Sequence, residues 1–327
     1  MKQVVVSLFF LALLSPFAAL AQSPPTASDE IVVTASSVPE TLATTPASVT
    51  VLTRDEIEDR AARDIADVLR EVPGINISRT GSAGRATSLF TRGANSTHTL
   101  VLWNGIEINN PYFSGYDWGR FSTLGVEQIE IVRGPYSALY GSDAVAGVVN
   151  ILTAPKKSEL RVGAEYGAHG LRNGQVVASA VGKATQFSVS VESREDDGWD
   201  ENDDFTEKSA NLLFKWTASK SFSLGVSGRY TNYDLGVPFN LNAAGAAIVP
   251  SLARRQEGNE RQIAVPVSQS FGRFSYDLTL AESRRDDHFA DPQDPYFFTD
   301  SDTESVTRRG RLALKLQTGI GTNIAGV

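Results

Sequence analysis

With 327 residues, a net charge of −8 and a pI near 5.1, the chain has room for two domains and lacks the basic surface that nucleic acid selects. It has no cysteine, which excludes disulfides and thiol metal or redox sites, and His98, His169 and His288 are too scattered for a His-based metal site. Beyond the N-terminal leader no run of about 20 apolar residues exists to make a spanning helix, which leaves membrane strands open.

The chain begins with Lys2, an apolar stretch from Val4 to Leu14, and Ala19-Leu20-Ala21. Charge, greasy run and small-x-small site predict a secretory signal over residues 1–21, cleaved before Gln22. Residues 22–37 read as a linker, opened by the Pro- and Ser-bearing SPPTAS, too poor in apolar residues to fold. Within it, DEIVVTA (Asp29, Glu30, Ile31, Val32, Val33, Thr34, Ala35) is a lone strand-forming segment. Such a segment either adds to a partner's sheet edge or serves as an edge strand of the next domain.

Residues 38–155 read as an α+β domain. ASVTVLT is a strand, and Thr53 with Glu56 makes a capping box that opens a helix. Ile57, Ala61, Ile65, Val68, Leu69 and Val72 fall on one helical face, which Pro73-Gly74 ends. INIS and SLFTRG follow as short strands, and THTLVLW-Asn104-Gly105-IEIN carries the hairpin signal of an Asn-Gly turn. VEQIEIV, with Val126, Ile129 and Ile131 set against Glu127, Gln128 and Glu130, predicts a half-buried strand. Gly134-Pro135 stops it, SALY makes one helical turn closed by Gly141, and VVNIL after Gly147 favours a final strand. Asn109 to Phe121 concentrates aromatics in an irregular segment; rings there either meet a flat apolar ligand or pack inside.

From residue 156 onward, apolar and polar residues alternate. Leu160, Val162, Ala164 and Tyr166 form one such phase, and Phe187-Val189-Val191, Phe222-Leu224-Val226, Phe274-Tyr276-Leu278-Leu280 and Leu312-Leu314-Leu316 form others. Short breaks (GKAT, ASKS, FGR, TGIG) alternate with long polar ones at 195–206, 235–257 and 287–302. Short turns on one rim and long loops on the other point to an outer-membrane barrel, with Tyr166, Trp216, Phe222 and Tyr230 in its aromatic girdles. Eight strands and the start of a ninth fit, whereas a lumen that holds a plug needs about 22. The expectation is therefore an incomplete antiparallel transmembrane β-barrel over 156–327, the N-terminal part of a longer chain.

The words RGPYSALYG and GVVNILT resemble the closing segment of the plug in TonB-dependent outer-membrane receptors, and RGANSTHTLVLWNGIEIN is most similar to their cobalamin receptors. The resemblance implies a Gram-negative outer-membrane protein, not an enzyme, that imports cobalamin or a related corrinoid. It makes DEIVVTA the TonB box, with TonB, ExbB and ExbD as partners and outer-membrane lipid around the wall. It implies ligand contacts at Asn110, Tyr112, Phe113, Tyr116 and Trp118. It makes Arg92 and Arg133 plug locks that face wall carboxylates, where a bland reading leaves them surface arginines. It also implies calcium held by Asp200, Asp203, Asp204 and Asp234, against the alternative of a solvated acidic loop. A ferric siderophore (metal chelate) receptor shares every plug motif, and a non-transporting adhesin or scaffold is the rival from another class. Catalysis by the loop carboxylates lacks an accompanying nucleophile, phosphate loop or histidine base.

Overall fold

The computed structural model describes residues 32–33, 40–41, 48–112, 115–241, 248–292, 299–318 and 321–326. The predicted signal peptide lies outside them, as do Asp29, Glu30, Ile31, Thr34 and Ala35. The remaining pair of the predicted TonB box forms β1 (Val32–Val33), antiparallel to β2 (Glu40–Thr41). This two-stranded ladder is separate from the sheet that follows.

β3 (Ser48–Thr53) leads into α1 (Arg54–Asp59), and the predicted capping box is formed in both directions between Thr53 and Glu56. The single helix expected from the apolar spacing is instead broken. Ala61 takes φ 48° and is exposed, and Asp64 adopts extended backbone that bridges to Ser122 before α2 (Ile65–Leu69) begins. Backbone bonds from Ile65 to Phe121 and from Thr123 to Arg63 hold the break open. Tertiary pairing overrides periodicity here, yet Ile57, Ile65, Val68, Leu69 and Val72 all still reach the core.

β4 (Ile75–Arg79) pairs with β5 (Thr87–Thr91). β6 (Thr99–Trp103) and β7 (Ile106–Glu107) form the predicted hairpin, with Asn104 and Gly105 both at positive φ, as that turn requires. β8 (Gln128–Arg133), α3 (Ser137–Tyr140) and β9 (Gly147–Leu152) complete a five-stranded sheet ordered β3-β8-β9-β6-β7, in which β6 and β9 run parallel.

β8 is buried on both faces, not one. Ile129 and Ile131 pack with Val149, Ile151 and Trp103 in the larger cluster, while Val132 joins Leu100 and Val148 on the opposite face. Glu130, fully buried, accepts hydrogen bonds from Gln128 Nε2 (2.9 Å) and Asn150 Nδ2 (3.3 Å), which is why a charged residue survives in mid-sheet.

The second sheet is one antiparallel run of nine strands. Its members are β10 (Glu159–Tyr166), β11 (Arg172–Val181), β12 (Thr185–Asp196), β13 (Phe205–Ser219) and β14 (Phe222–Gly236), continued, after a small hairpin of β15 (Phe239–Leu241) and β16 (Ile248–Pro250), by β17 (Arg255–Phe271), β18 (Phe274–Asp291), β19 (Thr299–Thr318) and β20 (Gly321–Gly326). Turns and loops alternate as predicted, although β18 and β19 extend well into the stretch read as loop 287–302.

Its two faces invert the usual pattern. Leu160, Val162, Ile263 and Leu280 are 54–73 % exposed on one face, whereas Arg194, Glu207, Arg229 and Thr231 on the other are at most 8 % exposed. A water-soluble sandwich buries its apolar face; a wall set in lipid presents it outward. Trp216 and Phe222 meet edge-on (6.3 Å, 82°) beside the β13–β14 turn, and Tyr166 and Tyr230 stand on the same outer face nearer the opposite rim. No helix among the described residues is long and apolar enough to cross a membrane.

Candidate functional site

The inner, polar face of the wall is covered by the plug, and the seam between them is built from charge. Arg194, on β12, is the most enclosed link: its Nη1 donates to Asp64 of the plug (2.7 Å) and its Nη2 to Glu207 on β13 (2.8 Å). Asp64 is available because the helix breaks there. Arg54 bridges Glu127 of its own domain (3.1 Å) and Glu159 of β10 (2.5 Å). Burial raises the Glu127 carboxyl, and Arg54 partly offsets it. Arg63 pairs with Glu165, and Glu58 with Arg161. On the far side Glu107 meets Arg309 (2.6 Å), burial again pushing the plug carboxyl up against the pull of its partner.

The aromatic segment is anchored in the same way. Arg229 Nη2 donates to the Tyr116 hydroxyl (3.0 Å) while its Nη1 holds Glu260 (2.9 Å). The guanidinium also lies 4.7 Å from the centre of the Phe121 ring. Tyr116, Trp118 and Phe121 pack on one another at 5.0–5.9 Å, and Phe121 also meets Trp103 at 5.5 Å. Tyr116 and Trp118 are therefore core, which corrects the ligand contact expected of them: from Gly115 onward the segment is largely buried and its rings pack on each other. Asn110 is buried as well, its Oδ1 accepting from the Tyr112 amide (2.8 Å). Tyr112 alone among the described candidates is exposed, at 70 %; Phe113 lies outside the described residues.

Arg92 and Arg133 lie side by side on the plug. Their side chains flank Gly74, and Arg133 donates to the Pro73 carbonyl (3.1 Å) and to Ser48 Oγ (3.2 Å). Burial, with Arg92 close by, lowers Arg133 from its ordinary value. Among the described residues neither arginine pairs with a carboxylate. Arg54, Arg63, Arg194 and Arg229, with Arg85 and Arg309, are the side chains of the charged seam that sequence reading missed. The available signal was phase: Arg194 and Arg229 fall on the polar alternation of their strands, which faces the plug.

At one rim, loop 197–204 closes over the plug. Asp203 accepts from Ser82 Oγ (2.7 Å), from the Arg85 guanidinium and from the Trp199 amide (2.8 Å). Burial pushes its carboxyl up, but those bonds outweigh it and leave the group below the ordinary range. Phe205 fills the space over Gly84, whose φ of 74° and missing β-carbon let the plug segment pass. Arg120 lies 4.0 Å over the Tyr233 ring beside it. Asp204 and Asp234 share Arg255, and hydrogen bonding to Arg255 holds Asp204 low. Asp200 is exposed.

This donor set does not fit the calcium expected there. A hard cation needs six to eight free oxygens. Three of the four predicted ligands already accept from guanidinium groups, and Asp203 sits with the plug rather than with Asp204 and Asp234.

Residues 41–148 match the TonB-dependent Receptor Plug Domain family. Over those residues the chain is similar to a TonB-dependent receptor plug. The strands that follow share the fold of solved outer-membrane receptors. The pyoverdine outer-membrane receptor FpvA of Pseudomonas aeruginosa superposes with a TM-score of 0.73 at 15 % identity, over 90 % of this chain and 48 % of that one. The siderophore receptor PiuA of Acinetobacter baumannii gives 0.63 at 21 % identity, over 86 % and 44 %. In sequence, the vitamin B12 transporter BtuB of Vibrio vulnificus strain YJ016 is 35 % identical over 167 residues, 51 % of this chain and 27 % of that protein. BtuB of strain CMCP6 is 37 % identical over 158 residues, 48 % and 26 %. The chain thus spans about a quarter of the curated relatives it matches.

Proposed function

We propose that this plug and wall belong to an active importer of cobalamin or a related corrinoid, energised through TonB with ExbB and ExbD. The observation that carries the reading is the 35–37 % identity to vitamin B12 transporters across about half the chain. Solved siderophore receptors at 15–21 % identity speak for fold and not for cargo. In this reading ligand arrives at the rim that carries loop 197–204. The strand-forming DEIVVTA segment then offers its backbone to TonB, and pulling on it draws on the plug held by the charged seam. No nucleotide-binding motif is needed when energy comes from a partner.

A ferric siderophore is the second cargo to weigh, since the plug motifs are common to both classes. Equilibrium binding of labelled cobalamin, set against ferric chelates, to the receptor in outer-membrane vesicles separates them. Nanomolar binding of cobalamin supports the corrinoid reading; nanomolar binding of a ferric chelate alone defeats it.

A further inference from the structure

Loop 197–204 presents a physical problem and an unusual solution. Seven carboxylates lie between Glu195 and Asp204, enough like charge to drive the loop open unless cations intervene. Guanidiniums from other parts of the chain intervene: Arg172 stands 3.6 Å from Glu195, and Arg255 and Arg85 meet Asp204 and Asp203. Arg255, at the start of β17, places Nη1 3.1 Å from Asp204 Oδ1 and Nη2 2.8 Å from Asp204 Oδ2, a two-pronged match of fork to carboxylate. The same side chain reaches Asp234 Oδ1 with Nε (3.0 Å) and Nη2 (2.7 Å). Arg85 from the plug takes Asp203, and also donates to the Gly236 carbonyl at the end of β14.

Asn202, at φ 58°, closes the remaining gap. Its Nδ2 donates to the carbonyls of Ser251 and Arg254, each at 2.9 Å, and so ties the loop to the long connection before β17. Beneath the carboxylates, Phe205, Tyr233 and Leu235 form a buried cluster against Ala83 of the plug. Charge, backbone and apolar contacts thus converge on one geometry, with Asp203 and Asp204 turned toward guanidiniums.

We infer that Arg255 and Arg85 are positioning residues that fold the acidic rim loop onto the plug without a divalent ion. Arg255 fixes the loop to the wall through Asp204 and Asp234, and Arg85 fixes it to the plug through Asp203. A guanidinium is always charged and cannot be chelated away. The rim therefore keeps its shape when free calcium falls, and the link between loop and plug is permanent until something displaces Asp203. The inference rests on the receptor assignment and is independent of which ligand is carried.

The test uses the receptor in outer-membrane vesicles and follows cleavage of the loop at Glu201 by a glutamate-specific protease, with chelator or with millimolar calcium. The wild-type loop is expected to be cut at the same slow rate in both media. Arg255→Gln is expected to be cut about tenfold faster in chelator, the worth of charge-assisted hydrogen bonds lost from the closed form. Calcium, admitted to the freed oxygens of Asp204 and Asp234, or Arg255→Lys, which keeps the charge, restores protection. A wild-type loop that loses protection in chelator overturns the inference, and this arm needs no variant to fold. Cleavage of Arg255→Gln at the wild-type rate overturns it too. So does loss of protection that spreads to the plug and answers to neither lysine nor calcium, the mark of general unfolding.

Discussion

The plug's central sheet and the seam between plug and wall are both buried, but they exclude water with different residues. In the sheet, Ile129, Ile131, Val149 and Ile151 are wholly enclosed by other apolar side chains. At the seam, Arg194, Asp64 and Glu207 are enclosed by one another. An apolar core tolerates many packings of similar volume. A buried ion pair contributes little net stability, because desolvation cancels much of the attraction, yet it penalises any docking that separates the partners. The difference gives the sheet a core that tolerates repacking and gives the seam a single docking geometry.

The largest expected effect breaks one side of that comparison. Arg194→Ala leaves Glu207 buried without its cation and Asp64 with Arg79 alone (3.3 Å), and should cost about 3–5 kcal/mol. The check is the urea midpoint for plug unfolding, followed by tryptophan fluorescence in the detergent-solubilised receptor. Replacing all three charges with apolar residues of similar volume should recover most of that loss, which would show the charges serve geometry more than stability.

Gly84→Ala comes next. A β-carbon there overlaps the Phe205 ring at a φ of 74°, so about 1–3 kcal/mol should be lost in the same assay. Acid gives a smaller, graded response. Asp203 and Asp204 both have folded values below their ordinary ones, so their contribution is present above the unfolded carboxylate range near 4 and lost as pH falls through the folded values. Protection of loop 197–204 should be level from neutral pH down to about 5 and decline below about 4. The smallest effect belongs to Arg63→Ala: its pair with Glu165 is half exposed, and solvent screening limits the loss to about 0–1 kcal/mol.

How much of this was legible in the sequence follows the same division. Apolar period and turn chemistry located β3, the Asn104-Gly105 hairpin, β9 and the alternating wall strands, since local spacing and burial agree there. The broken helix was hidden because the backbone bonds that open it come from Ser122 and Phe121, some 60 residues away. Arg85 was hidden because a lone arginine in SAGRAT carries no sign of a partner on a wall loop. Arg92 and Arg133 drew notice for the opposite reason, their flanking glycines, which the fold uses for turns. The acidic loop was conspicuous by charge, but the cations that answer it, Arg85 and Arg255, lie far from it in sequence and share no motif with it.

The central claim is that this plug lies against this wall, and the absence of native cysteine makes it directly measurable. A β-carbon added at Gly125 of the plug falls 3.2 Å from Ser190 Cβ on β12, close to the span of about 3.8 Å that a disulfide bridges. The receptor carrying Gly125→Cys and Ser190→Cys is oxidised in vesicles and its thiols are then counted by alkylation. The structure predicts that both thiols disappear into an intramolecular bond. Two thiols that remain free in the folded, oxidised protein would contradict the docking on which the rest depends.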